Sequence, residues 1–175
     1  MDRAVATRAG ESIVVANIVA TSLFGLTAVY AAAVFSTTAQ WVGAITAITL
    51  FAIGVFTFLW AYWNAVQRSR TDEISVVQLF FLLGPPTPPR VRRVMLLTLL
   101  AQIVIAVTTT LARPDGPDGN PGSSLAVGFL VPMLGFGLNG LWASIHGSFP
   151  ARVEASGSPD VTAAGDEIGQ NADHG

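Results

Sequence analysis

Cysteine is absent from this 175-residue chain. That excludes disulfide staples, thiolate metal sites and cysteine nucleophiles, and it leaves no cysteine pattern from which to read a redox compartment. Lysine is absent too, since all nine basic residues are arginine. A GC-rich genome explains that bias more simply than a need for bidentate contacts. Charge of either sign is scarce, at 11% of residues against roughly 25% in soluble domains. No charged residue occurs from Ser12 to Gln67, from Val94 to Ala112, or from Gly119 to Ala151. A soluble domain of this size has too little interior to hide such runs, so the composition indicates an integral membrane protein. The formal net charge of -2 argues against nucleic acid as a partner.

Four long apolar runs fill the uncharged stretches. The first, Ile13 to Phe35, exceeds the ~20 residues a helix needs to cross a hydrocarbon core. The small residues Ala31 to Ala33 resemble a signal cleavage site, but apolar leader cores are only ~7–15 residues long, which favours a retained span. A turn is expected over residues 36–40. The second run, Trp41 to Val66, ends in the aromatic-rich sequence "LWAYWN" (59–64), suited to a membrane interface. The third spans Val94 to Ala112, between Arg93 and Arg113. The fourth spans Leu125 to Ile145 and contains Pro132 and several glycines, which membrane helices tolerate. Residues 1–12 are polar and read as a cytoplasmic N-terminus. Residues 151–175, acidic and rich in Gly, Ala and Ser, read as a disordered tail.

Between the second and third runs lies "DEISVVQLFFLLGPPTPPRVRR" (72–93), whose apolar middle raises the question of a fifth span. Charge decides it. With four spans and the N-terminus inside, Arg3, Arg8, Arg68, Arg70, Arg90, Arg92, Arg93 and Arg152 are cytoplasmic and Arg113 alone is outside. A fifth span would leave five arginines inside and four outside, against the positive-inside rule. Asp72 to Gly84 as a helix would also cover only ~20 Å. The segment is therefore expected as a short cytoplasmic helix lying at the interface. A re-entrant segment and a plain loop are the alternatives, and "GPPTPP" (84–89) is expected to stop the helix. Arg90, Arg92 and Arg93 become candidate lipid-headgroup contacts where the third span enters the membrane.

Small and polar residues recur at three- and four-residue steps along each run, among them Asn17, Asn64, Gln102 and Asn139. They predict close helix packing with amide bonds between helices, or else a polar path through the bundle. Packing is preferred, because no ionisable residue lies at mid-depth to drive coupled transport. "GFGLNG" (135–140) matches a dinucleotide-loop pattern but falls within an apolar run, where helix packing explains its glycines better. "DGPDGN" (115–120) lacks the spaced oxygen ligands of a calcium loop and reads as a turn. His146 and His174 are too far apart to suggest a metal site. His146 with Asp72 or Glu73 is the one visible acid–base candidate, and anchoring is the simpler role for it. No cofactor is expected.

The stretches "YWNAVQRSRTDEISVVQLFFL" (62–82) and "GFLVPMLGFGLNGLWASIHGSFPAR" (128–152) resemble small four-span membrane proteins of GC-rich actinobacteria, a likeness covering most of residues 12–152. It implies a four-span topology and a cell-membrane address, and carries over no functional residue. The resulting expectation is an all-α membrane protein, a compact bundle over residues 13–150 with both termini cytoplasmic. Its expected role is a non-enzymatic scaffold or regulatory subunit of a membrane complex, with a small transporter or pore as the alternative. The bilayer is one expected partner and a membrane protein or second copy another. Arg68, Arg70, Phe80, Phe81 and His146 are the candidate docking residues.

Overall fold

The computed structural model describes residues 2–152 apart from 118, 120 and 121. The expected disordered tail, from residue 153 onward, lies outside the described residues. The elements are α1 (Asp2–Val34), α2 (Thr37–Arg68), α3 (Val76–Phe80), α4 (Pro89–Ala112), a 3₁₀ segment (Ser124–Leu130) and α5 (Pro132–His146). Four helical stretches are long and apolar enough to cross a membrane: Gly10–Val34, Thr37–Arg68, Pro89–Ala112 and Ser124–His146. The expected four-span helical bundle is therefore present.

Several boundaries differ from the sequence reading, each for a local reason. The first helix begins at Asp2, so the polar N-terminal residues continue the helix ahead of the span without a break. The turn expected over 36–40 shrinks to Phe35 and Ser36. Ser36 accepts a hydrogen bond from the Ala39 amide at 3.3 Å and caps α2. Phe35 takes the left-handed conformation at φ 47° that so tight a reversal demands. Its ring lies 4.4 Å beneath the Arg113 guanidinium, and Arg113 Nε donates to the Ala32 carbonyl at 3.3 Å, clasping the end of α1. The third span, α4, starts at Pro89, whose fixed φ suits a first helical position, and so takes in Arg90, Arg92 and Arg93. The fourth span is two pieces. The chain runs as a 3₁₀ segment to Leu130, and Pro132 then opens α5.

The second helix carries a ruler. Trp41 is exposed near one end, and Trp60, Tyr62 and Trp63 are exposed near the other. Trp41 and Trp60 lie about 29 Å apart at 1.5 Å per residue, which matches a hydrocarbon core of about 30 Å with an aromatic girdle at each face. Arg68 and the chain that follows sit just beyond that span.

The fourth span is the centre of the assembly. Half of it is buried, against 22–28% of each of the others. Three glycines of α5 face three different neighbours. A Cβ on Gly137 would collide with the Gly54 carbonyl and the Thr57 hydroxyl of α2. One on Gly135 would lie 2.8 Å from the Gln102 and Leu99 side chains of α4, and one on Gly140 2.5 Å from the Phe80 ring of α3. Gly54 of α2 answers from the other side, where a Cβ would sit 2.5 Å from the Leu134 amide nitrogen. Small residues let two membrane helices approach to backbone contact, where dispersion and weak polar contacts are strongest.

Gly54→Val should therefore destabilise the fold by about 1–3 kcal/mol, the usual range for overpacking, whereas Ile53→Val on the exposed face should change little. Unfolding in mixed micelles with increasing SDS measures both. Equal stabilities would show that the helices do not meet at Gly54.

Candidate functional site

Three polar features stand out among the described residues: an amide cluster inside the bundle, an arginine-centred junction at one end, and a groove beside that junction.

The cluster joins α1 to α4. Asn17 and Gln102 are both fully buried. Asn17 Nδ2 donates to Thr98 Oγ1 at 2.8 Å and approaches Met95 Sδ at 3.5 Å. Gln102 Nε2 donates to Thr21 Oγ1 at 2.8 Å and to Asn17 Oδ1 at 3.3 Å. The two amides thus share one bond between helices and each also donates to a threonine of the other helix, as expected for packing polar groups. Gln102 Oε1 is left without a partner and faces the bare Cα of Gly135. Asn64 stays apart from this cluster. It is half-buried, and its Nδ2 bonds the Trp60 carbonyl one turn back at 2.8 Å.

Asn139 is fully buried, and its Nδ2 donates to the Phe80 carbonyl at 3.1 Å. This bond fixes the segment that the sequence reading placed at the interface. The helix there is only five residues long, shorter than 72–84. Ser75 and Gln78 form a reciprocal capping box at its start. It ends before "GPPTPP", because Leu82 turns into the left-handed region at φ 53° with its side chain fully buried. Phe80 is buried as well, stacked on Phe58 at 4.3 Å and set in the notch left by Gly140 and Ala61. Phe58 and Ala61 flank Trp60, so Phe80 sits at the depth of the aromatic girdle. Of the candidate docking residues, Phe80 is thus a core residue. Phe81 remains 45% exposed, touching Phe136 edge-on at 5.4 Å.

Arg68 organises the end of the bundle. Its guanidinium pairs with Asp72 at 2.9 Å, donates to the carbonyls of Ser144 at 2.8 Å and Gly147 at 3.2 Å, and lies 5.3 Å from the centre of the Phe149 ring. An arginine on the final carbonyls of α5 both caps them and complements the helix dipole. Beside it, residues 71–73 and 150–152 pair through the Glu73 amide to the Pro150 carbonyl at 2.9 Å and the Arg152 amide to the Thr71 carbonyl at 2.7 Å. Arg68 is thereby committed to internal contacts, while Arg70 stays exposed.

His146 forms no bond with Asp72 or Glu73. Asp72 is held by Arg68, and His146 stacks on Trp142 at 5.7 Å. Gly10 of α1 completes that contact: a Cβ there would lie 3.2 Å from Trp142 Nε1 and 3.4 Å from His146 Cδ2. Both Trp142 Nε1 and His146 Nδ1 are buried without a partner. They border a groove of about 610 Å³ also lined by Glu11 and Arg90. Arg92 is half-buried and Arg93 exposed, and neither lines it. Sequence reasoning missed Glu11 and Trp142. The four-residue step from Trp142 to His146 was the available signal, since it puts both rings on one helix face.

The architecture defines an all-α, multi-pass membrane protein. No family model, curated protein or solved structure matches the chain.

The amide cluster makes a quantitative prediction. Asn17→Leu or Gln102→Leu alone strands the partner amide and should cost about 1–2 kcal/mol. The double variant should cost less than the sum of the two, by about 0.5–1.5 kcal/mol. Additive losses in SDS-titration unfolding would rule out a coupled pair.

Proposed function

We propose that this protein is a non-enzymatic membrane scaffold or regulatory subunit that receives a transmembrane helix of a partner beside α3. One observation carries the reading. Between the outer face of α2 and α3 runs an apolar groove of about 410 Å³, walled by Phe58, Leu59, Tyr62, Val66, Ile74 and Val76. Its depth, at the aromatic girdle, suits an apolar helix that enters the membrane there. Val76 and Val77 extend the apolar surface at the groove's edge, exposed by 66% and 50%. The groove is concave where most of the lipid-facing surface is convex helix, so a partner helix can pack into it and gain contacts there rather than by apolar burial alone. The transporter alternative would draw on Asn17, Gln102 and Asn139. All three are fully buried with amide donors engaged, which supports packing over passage.

The threading follows from charge. Arg68, Arg70, Arg90, Arg92, Arg93 and Arg152 lie in or next to the junction end, and Arg113 marks the opposite end. By the positive-inside rule this distribution supports a junction end on the cytoplasmic side of the membrane.

Affinity purification in mild detergent should recover a stable membrane partner with the native chain. Val76→Asp combined with Leu59→Asp should abolish that recovery while the bundle keeps its unfolding midpoint. Recovery of the chain alone, or a partner indifferent to both substitutions, would refute the proposal. Solute flux in liposomes sensitive to Gln102→Leu would favour the transporter alternative.

A further inference from the structure

The groove bordered by α1, α4 and α5 has the chemistry of a phospholipid site, and three independent observations converge on it. The first is the start of α4. Its N-cap is Pro88, which makes no side-chain cap bond, and no acidic residue occupies the first turn. Arg90, Arg92 and Arg93 stand there instead, cations at the positive end of a helix dipole. Free amide groups and arginines at one helix end together call for an anion.

The second observation is Trp142. It is 5% exposed, lines the groove, and its Nε1 donor has no partner. A buried indole N–H usually finds an acceptor, and an unmet one costs about 1–3 kcal/mol. His146 Nδ1 is in the same position on the same wall. The third is charge of both signs. Glu11 and Arg90 line one groove, yet neither is engaged by another described residue. Between them the walls are apolar, from Val14 and Val15 of α1 and Val91 and Val94 of α4.

We infer that this groove binds one phospholipid with an amine-bearing zwitterionic head, of the phosphatidylethanolamine class. The phosphate sits at Arg90 and the first amides of α4, and the ammonium sits at Glu11. Seating the head parts α5 from Gly10 far enough for a phosphate or ester oxygen to accept from Trp142 Nε1, and an acyl chain lies along the four valines. A purely anionic head would leave Glu11 unpaired against it. A choline head carries no N–H to donate to the Glu11 carboxylate.

Native mass spectrometry of the full chain in nonionic detergent tests this, with phosphatidylethanolamine, phosphatidylcholine and phosphatidylglycerol added in equal amounts. One phosphatidylethanolamine should be retained about tenfold over either competitor, the ratio that a single charge-assisted bond supplies. Glu11→Gln should erase that preference. Arg90→Gln should weaken retention of all three lipids by about tenfold, while Arg93→Gln, outside the groove, should leave it unchanged. Trp142→Phe should lower retention without altering the order of the lipids. Thermal unfolding of each variant without lipid verifies that it is folded, and Arg90→Lys, which preserves the charge, should fall between the native chain and Arg90→Gln. Equal retention of the three lipids by the native chain would overturn the inference. So would an unchanged preference in Glu11→Gln, or losses as large in Arg93→Gln as in Arg90→Gln, which would reveal diffuse attraction to anionic lipid.

Discussion

The bare glycine faces of α5 set the geometry on which the rest of the bundle depends. Gly137 admits the backbone of α2 at Gly54, Gly135 admits Leu99 and Gln102 of α4, and Gly140 admits the Phe80 ring. In lipid, apolar burial supplies little drive for helices to associate, because acyl chains solvate leucine as well as protein does. Close packing and polar bonds must do it, and both need backbones near one another. A Cβ at any of these three positions would push out a different neighbour. That is why the one span containing a proline and a run of glycines is also the most buried.

The same surface fixes the segment after α2. Gly140 makes the notch for Phe80, and Asn139 next to it in sequence takes the Phe80 carbonyl. With that carbonyl anchored, burying Leu82 requires a reversal that no run of helix supplies. Leu82 adopts a left-handed conformation at φ 53°, a cost its packing offsets. Arg68 then closes the end, joining α2 to the last carbonyls of α5. The segment is thus no fifth span; it holds the expected short helix, packed into the end of the bundle. It is a wedge at girdle depth, with Leu79, Phe80 and Leu82 turned inward and Val76, Val77, Phe81 and Leu83 left outside. Both proposed binding surfaces flank this junction: the apolar groove on the α2 side and the headgroup groove on the α1–α4 side.

Four spans were legible because uncharged runs of sufficient length have a single economical reading. The arginine count was enough to reject a fifth. The amide cluster was half legible: helical spacing set Asn17 and Gln102 on buried stripes, but which residues would meet across helices depended on the relative height of α1 and α4. Asn64 shares the same spacing but turns back on its own helix, its Nδ2 taken by the Trp60 carbonyl one turn earlier. Phe80 looked like a docking residue because the notch that hides it is made by Gly140, distant in sequence. Arg68 looked free for the same reason, its carbonyl acceptors being supplied by α5. Glu11 and Trp142 carry no motif, and only the meeting of three helix ends makes them neighbours of Arg90.

The absence of cysteine from the native sequence gives a clean background for testing the wedge directly. Single cysteines at Val76, Leu79, Phe81, Leu82 and Leu83 can be labelled with a maleimide in mild detergent. The account predicts rapid labelling of Val76→Cys, Phe81→Cys and Leu83→Cys, slow labelling of Leu79→Cys and Leu82→Cys, and fast labelling of Leu82→Cys once Gly140→Val fills the notch. Uniform labelling along the segment, or a Leu82→Cys rate unmoved by Gly140→Val, would contradict it.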